Sequence, residues 1–330
     1  MKGILITLIA FSAFLVSCSD EENTTGPDTE YSIPGIYNYD GADYSAQTEI
    51  LTKVAEIKAM LSRTENVNAS EMQTIWDSNL ASHVSSDDAE FFSVMFSAAE
   101  ADSKLGNASD GQGGYVSNGE KTYLVNDKGQ EYAQLFEKGL IGALMLHNVV
   151  IYTENDKIGS GVEKETALNN WDQAYGLFGA PKQFPIITEG VTFLSKYCNS
   201  SDDITGLNAK IMNDGYLLGR SAIMNGDYES VDEAVETLRN SWEQVLAATA
   251  IHYLNSSKAK LTDDAARIHA LSEFWAFAWS IQFNPGHNTA YQEAINIVGD
   301  NYWTVTVADL NTAIDILAAA YGWEEVKSEL

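Results

Sequence analysis

Asn170 and Gln173 stand three residues apart beside Trp171 and Asp172 in the stretch ALNNWDQAYGLFGAP, residues 167–181. Residues three apart on a helix share a face, so a histidine and a glutamate at this spacing would converge on one cation. Two amides are poor ligands for a transition metal, but with Trp171, Asp172 and Tyr175 they could hydrogen-bond a carbohydrate or a peptide. The competing expectation is that Trp171, Tyr175 and Phe178 are core and that the amides satisfy buried backbone. His269 and Glu273, four apart, offer an imidazole and a carboxylate to iron or zinc, or else make a structural hydrogen-bond pair. Glu137, Lys138 and Arg220 lie in otherwise apolar segments, where charges need partners, so they read as an interhelical salt bridge or as the anchor of a ligand. The sequence contains no Gly-rich phosphate loop, Gly-x-Ser-x-Gly elbow, His-Glu-x-x-His or EF-hand loop.

The segments that carry these residues read as helices. From Ala46 to Leu61, Ile50, Val54, Ile57 and Leu61 recur at three and four. Ser70 with Gln73 reads as a capping box, and residues 88–104 are too crowded with apolar side chains for a surface helix. Residues 105–129, rich in Gly, Asn, Ser and Asp, read as a long loop around one short strand at Tyr123, Leu124 and Val125, and as a candidate rim. Residues 130–150 predict a long helix with Leu135, Gly139, Gly142 and Leu146 on one face, where the glycines admit a neighbour. Ser230 with Glu233 opens a helix whose apolar stripe runs to Tyr253, and Thr262 caps the next, whose Leu271, Phe274, Phe277 and Ile281 make it central. A turn over 255–261 sets Glu273 level with Gln244 and His269 level with Ala248. Thr289 with Gln292 opens a helix ended by Gly299, and Thr306 with Asp309 opens the last, before Gly322. Convincing strands are nearly absent, so the fold class is all-α, a multi-helix bundle of about ten helices, as one bundle or two fused ones.

The amino terminus speaks to location. Met1-Lys2, an apolar run from Ile4 to Val16 and small residues before Cys18 make residues 1–17 a lipoprotein signal peptide, too short to span a bilayer permanently. Leu15-Val16-Ser17-Cys18 resembles a bacterial lipobox, which implies cleavage before Cys18 and its lipidation, palmitate included; an ordinary signal peptide with a chance cysteine is the alternative. Residues 18–40 read as a solvated acidic tether, and the run Ser19-Asp20-Glu21-Glu22 also looks like an export tag of surface lipoproteins. The expected location is the outer membrane, lipid-anchored through Cys18, at the cell surface or on the periplasmic face, with one folded domain over 41–330. Once Cys18 is lipidated, Cys198 is the only other cysteine and no intrachain disulfide forms; it reads as a partly buried helix-end thiol. A net charge of −28, from 19 basic and 47 acidic side chains, argues against nucleic acid and anionic lipid as partners.

Five segments, EYAQLFEKGLIGALMLHN (131–148), NNWDQAYGLFGAP (169–181), LGRSAIMNGDY (218–228), WEQVLAATAIHYLN (242–255) and HALSEFWAFAWSIQFNP (269–285), occur in the order seen in an uncharacterised lipoprotein family, domain of unknown function 4856. The chain resembles that family over nearly all of its length after the leader. The family in turn looks like a remote cousin of the imelysin-like helical proteins, which are associated with iron handling and carry a His-x-x-Glu pair on one helix. The family's usual form around Trp171 is His-His-Trp-Asp-Glu-Ala, whereas this chain has Asn169-Asn170-Trp171-Asp172-Gln173-Ala174, with amides at both ligand positions. The resemblance implies a non-catalytic binding protein connected with metal or iron uptake, with a small ligand or metal ion and an outer-membrane transport protein as partners. An imelysin-like hydrolase and a purely structural surface lipoprotein are the alternatives, and the incomplete His-x-x-Glu pair weighs against the hydrolase.

Overall fold

A computed structural model describes residues 31–330; the signal peptide, Cys18 and the first part of the expected tether lie outside the described residues. Helices α1 (Ser45–Leu61), α2 (Ala69–Asn79) and α3 (Ser86–Asp102) lead into a hairpin of β1 (Gly114–Ser117) and β2 (Thr122–Val125). A continuous helical rod follows, made of α4 (Tyr132–Leu140), a wider π-helical stretch (Ile141–Leu146) and α5 (His147–Tyr152). Next come α6 (Asn155–Ile158), α7 (Lys164–Phe178), α8 (Phe193–Thr205), α9 (Leu207–Ala209), a second π-helical stretch (Lys210–Leu217) and α10 (Leu218–Asn225). The chain closes with α11 (Tyr228–Ala259), α12 (Asp264–Ser280), α13 (Ala290–Val298) and α14 (Val307–Tyr321). The fold is all-α and multi-helical, with one two-stranded hairpin among the described residues.

One connected cluster of buried side chains runs from Tyr37 to Leu330, so the helices share a core. Apolar side chains on most of the circumference of α12, including Leu271, Phe274, Phe277 and Ala278, bury it between α11 and the rod. The rod is apolar and long enough to cross a membrane, but most of it is buried inside this core. Gly142 explains how close the rod and α12 come: a Cβ there would stand 2.5 Å from Ser280 Cα, and Ser280 Oγ donates to the Lys138 carbonyl at 3.2 Å. Helix α7 packs against α1, α5, α6 and α10.

Several local expectations change. Asn68 caps α2 by accepting from the Glu71 N–H, so Ser70 lies inside the helix; likewise Asp227 caps α11 and Asp263 caps α12, in place of Ser230 and Thr262. A carboxylate or amide one to three residues away, upstream at α2 and α11 and downstream at α12, reaches the orphan N–H groups instead. The Thr306–Asp309 box forms, whereas Thr289 precedes α13 without a side-chain cap. Because α11 continues to Ala259 and α12 starts at Asp264, the reversal comes later than residues 255–261: Tyr253 stacks on Phe277, and Glu273 lies near Tyr253, not Gln244. The loop expected to hold one strand holds two, paired Gly114 to Val125 and Ser117 to Thr122. On α3, Phe91 and Val94 face solvent, because the helix packs against the core along one stripe only. Cys198 is fully buried within α8, not at a helix end. Residues 31–40 also depart from a tether, since Tyr37 is fully buried and stacks on Tyr175 with ring centroids 3.6 Å apart.

Replacing Gly142 by Ala should drive the rod and α12 apart and cost about 1–3 kcal/mol, the usual penalty of overpacking. Urea denaturation reads it as a lower midpoint at unchanged slope.

Candidate ligand site around His269

Glu131, Gln134 and Lys138 recur at three and four, which puts all three on the face of α4 that meets α12. There they meet His269 and Glu273, one helical turn apart. His269 Nδ1 lies 2.6 Å from Glu131 Oε2, and its Nε2 lies 3.4 Å from Glu273 Oε2. The other Glu273 oxygen is 3.9 Å from Lys138 Nζ, which also pairs with Glu137. Carboxylate and cation therefore alternate from Glu131 through His269, Glu273 and Lys138 to Glu137. The alternation is what lets these groups stay in the core, because a buried charge without a partner costs several kcal/mol.

Aromatic rings wall the chain of charges. Tyr123, on β2, stacks on His269 with centroids 4.6 Å apart and planes 14° apart, so the hairpin covers the imidazole. On the far side Lys138 Nζ sits 5.3 Å from the Tyr197 ring centre, and Tyr197 packs edge-on against Phe277. The Glu131 N–H donates to Ser272 Oγ at 2.8 Å, which ties the start of α4 to α12. Gln134 Oε1 is buried beside Glu131 without a hydrogen-bond partner. Only the His269 side chain, 26% exposed, reaches solvent appreciably; Glu131 and Glu273 are 4% and 6% exposed.

Burial alone would push the His269 pKa down, but the hydrogen bond and charge of Glu131 and the charge of Glu273 outweigh it, and the imidazole holds its proton above the usual histidine range. Burial raises the Glu273 carboxyl, with Lys138 and His269 pulling in the opposite direction. Tyr123 is pushed up to about 12, by burial first and then by the two carboxylates, so it stays a neutral phenol.

Among the described residues no three His, Cys, Asp or Glu side chains converge on one point. His269 Nε2 and Glu273 Oε2 are a pair of donors that do face each other. Two ligands about 2.1 Å from a single tetrahedral ion stand about 3.4 Å apart, which is the separation this pair shows. Glu131 on Nδ1 supplies the outer carboxylate that orients metal-binding histidines.

The residues around Trp171 form a separate group. Arg220 grips Asp172 through Nε to Oδ1 at 2.6 Å and Nη2 to Oδ2 at 3.0 Å, and Tyr37 donates its hydroxyl to the same Oδ1 at 2.6 Å. Tyr39 lies under the guanidinium, 4.4 Å from its carbon, and donates to the Leu217 carbonyl. Trp171 donates from Nε1 to the Tyr216 carbonyl, while its ring occupies the space a side chain at Gly219 would need, a Cβ there falling 2.1 Å from Cζ2. The two amides hold neighbouring segments: Asn170 Nδ2 donates to the Lys157 carbonyl at 3.0 Å and Gln173 Oε1 accepts from Gln47 at 3.1 Å. Tyr175 donates to the Pro181 carbonyl. Arg220 thus joins Asp172 and not Glu137 or Lys138, and the candidate residues fall into two sites on different helices.

A family model described as Domain of unknown function (DUF4856) matches residues 28–298. The chain belongs to this family. No curated protein and no solved structure matches it. The DUF4856 match takes in both groups of polar residues, from Glu131 to Glu273, and ends with α13, so α14 lies beyond it. Glu131, Tyr123 and Tyr37 escaped sequence reading. The 131, 134, 138 spacing would have pointed to Glu131, whereas nothing local to Tyr123 or Tyr37 marks either as a partner of a helix more than one hundred residues away.

Asp172→Asn should leave Arg220 buried and uncompensated and cost about 3–5 kcal/mol, and Asp172→Asn with Arg220→Met should cost less than the sum of the singles. Chemical denaturation of the four proteins measures the coupling. The His269 network fixes a pH dependence as well. A folded pKa raised above the unfolded value of about 6.5 makes the contribution of His269 complete below that pH and lost as pH rises through the folded value. Raised Glu273 acts with the same sign, starting from its lower carboxyl range. The thermal midpoint should therefore fall as pH is raised from about 6 to 8.5, and His269→Gln should flatten that fall. A wild-type midpoint constant over this range would contradict the assignment.

Proposed function

We propose that this DUF4856 protein is a lipoprotein of the outer membrane or cell surface, anchored through Cys18, that binds its ligand without transforming it and takes part in the uptake of iron or another metal. The observation that carries the reading is the imidazole of His269, oriented on Nδ1 by a buried carboxylate and facing a second carboxylate across the space of one ion. Iron or zinc fits this nitrogen and oxygen pair. The ion takes the place of the Nε2 proton, so the charges along Glu131, His269, Glu273 and Lys138 still alternate when it binds. With two protein donors, the remaining coordination positions belong to water or to small ligands that arrive with the metal, which suits an ion handed on to a transport partner rather than one held for structure.

A hydrolase is the less favoured reading. Among the described residues no hydroxyl or thiol is hydrogen-bonded to His269, whose ring nitrogens face Glu131 and Glu273 instead.

Titration calorimetry with zinc and with ferrous iron tests the site. Binding should release about one proton, detected as a heat that varies with the ionisation enthalpy of the buffer. Glu131→Gln should weaken binding about 10- to 100-fold, the usual effect of losing an orienting carboxylate. His269→Gln should abolish it, and unchanged affinity in that variant would sink the assignment. Mass spectrometry of the peptide that begins at Cys18 reads the acyl groups directly.

A further inference from the structure

We propose that the loop bearing Ile186 and Ile187 is a bilayer-contact wedge, seated on the membrane within reach of the lipid tether. The inference rests on the Cys18 anchor proposed above. Among the described residues Ile186 is the most exposed large apolar side chain, at 72%, and its neighbour Ile187 is 48% exposed. Two adjacent isoleucines held out into water are costly unless something covers them. The loop is firmly rooted: Phe184 is fully buried and packs edge-on against Phe178, with centroids 5.8 Å apart.

What lies beside this loop identifies the cover. The Tyr37 N–H donates to the Lys182 carbonyl at 2.9 Å and the Tyr37 hydroxyl is fixed on Asp172, so the chain passes the root of the loop six residues after Tyr31, whose hydroxyl donates to Asp227. Thirteen peptide units separate Cys18 from Tyr31. At no more than about 3.5 Å each they place the acylated residue within about 45 Å of Tyr31 whatever path they take. The tether thus keeps the Ile186 loop at high effective concentration next to the bilayer, where a small apolar contact suffices to dock it. Lys182 is exposed at the base of the loop and can extend its ammonium toward lipid phosphates while the two isoleucines enter the headgroup and acyl boundary. Glu189 follows closely and the chain carries a net charge of −28, so the surface that fits is zwitterionic rather than anionic.

The test uses the chain from Cys18 onward, which retains every described residue. It is coupled through the Cys18 thiol to maleimide lipid in phosphatidylcholine nanodiscs that also contain a nitroxide lipid. Cys198 is buried and does not compete for the maleimide. With the isoleucine δ1 methyls isotopically labelled, the Ile186 and Ile187 signals should broaden severalfold more than that of Ile297, an exposed isoleucine on α13. Ile187→Ser should lower the docked population, and with it the extra broadening at Ile186, by about tenfold. Equal broadening at the three positions, or none at any, overturns the wedge. Because the coupling supplies the attachment chemically, this outcome is separate from failure of the anchor, which would show as an unacylated Cys18 in protein taken from cell membranes.

Discussion

Glu273 is a carboxylate in the middle of a buried, largely apolar central helix, and the way its charge is compensated governs how that helix is packed. Stripped of partners, the group would sit in a medium that penalises ions by several kcal/mol. Lys138 from the rod and His269 from its own helix supply the compensation, and each in turn needs Glu137 and Glu131. Satisfying one buried acid therefore sets the register of α4 against α12. Gly142 then allows the two backbones to approach at Ser280, about one turn beyond Lys138, whose carbonyl Ser280 also bonds. Rod and central helix are fastened by charge at the start of the rod and by close contact at its middle.

The same economy appears at the second buried pair. Asp172 lies on α7 and Arg220 on α10, and the Tyr37 hydroxyl completes the carboxylate from a segment before the first helix. Tyr37 then stacks on Tyr175, so the first described stretch is pinned into the core before α1 begins. Arg220 is planar and offers several donors in a fixed fork, which is why one guanidinium can hold both carboxylate oxygens and still lie over Tyr39. Asn170 and Gln173 flank this group and bind backbone and amide partners of neighbouring segments; their amides do in this chain what neutral hydrogen bonds do well, which is to fasten α7 to α6 and α1.

The two polar centres differ in exposure. Asp172 and Arg220 bond each other with both side chains buried, whereas the His269 centre keeps its imidazole partly exposed, with a hairpin across its face. The long Gly- and Asn-rich stretch before the rod folds into that hairpin, and Gly114 is required there, because a side chain would strike the Gly106 carbonyl at 2.4 Å.

The helical periods of residues 46–61, 130–150 and 264–281, the Thr306–Asp309 box and the glycine that admits α12 were legible in the sequence because each is a local regularity repeated every turn. The capping residues were misplaced by one to three positions at α2, α11 and α12, since several side chains in a row can bond the same free N–H groups and only the path of the incoming chain selects among them. His269, Glu273, Asp172 and Arg220 could be picked out as charges in apolar surroundings, but their pairing could not. Which acid meets which base depends on how helices separated by tens of residues slide along one another, and that is decided by the filling of a shared core. By itself the sequence determined the all-α class, the membership in the family and the set of charges that had to be buried. Tertiary structure alone decided that Glu131 and Tyr123 would frame His269 and that Tyr37 would be core, because those contacts bridge segments with no common period and exist only once the core has closed around them.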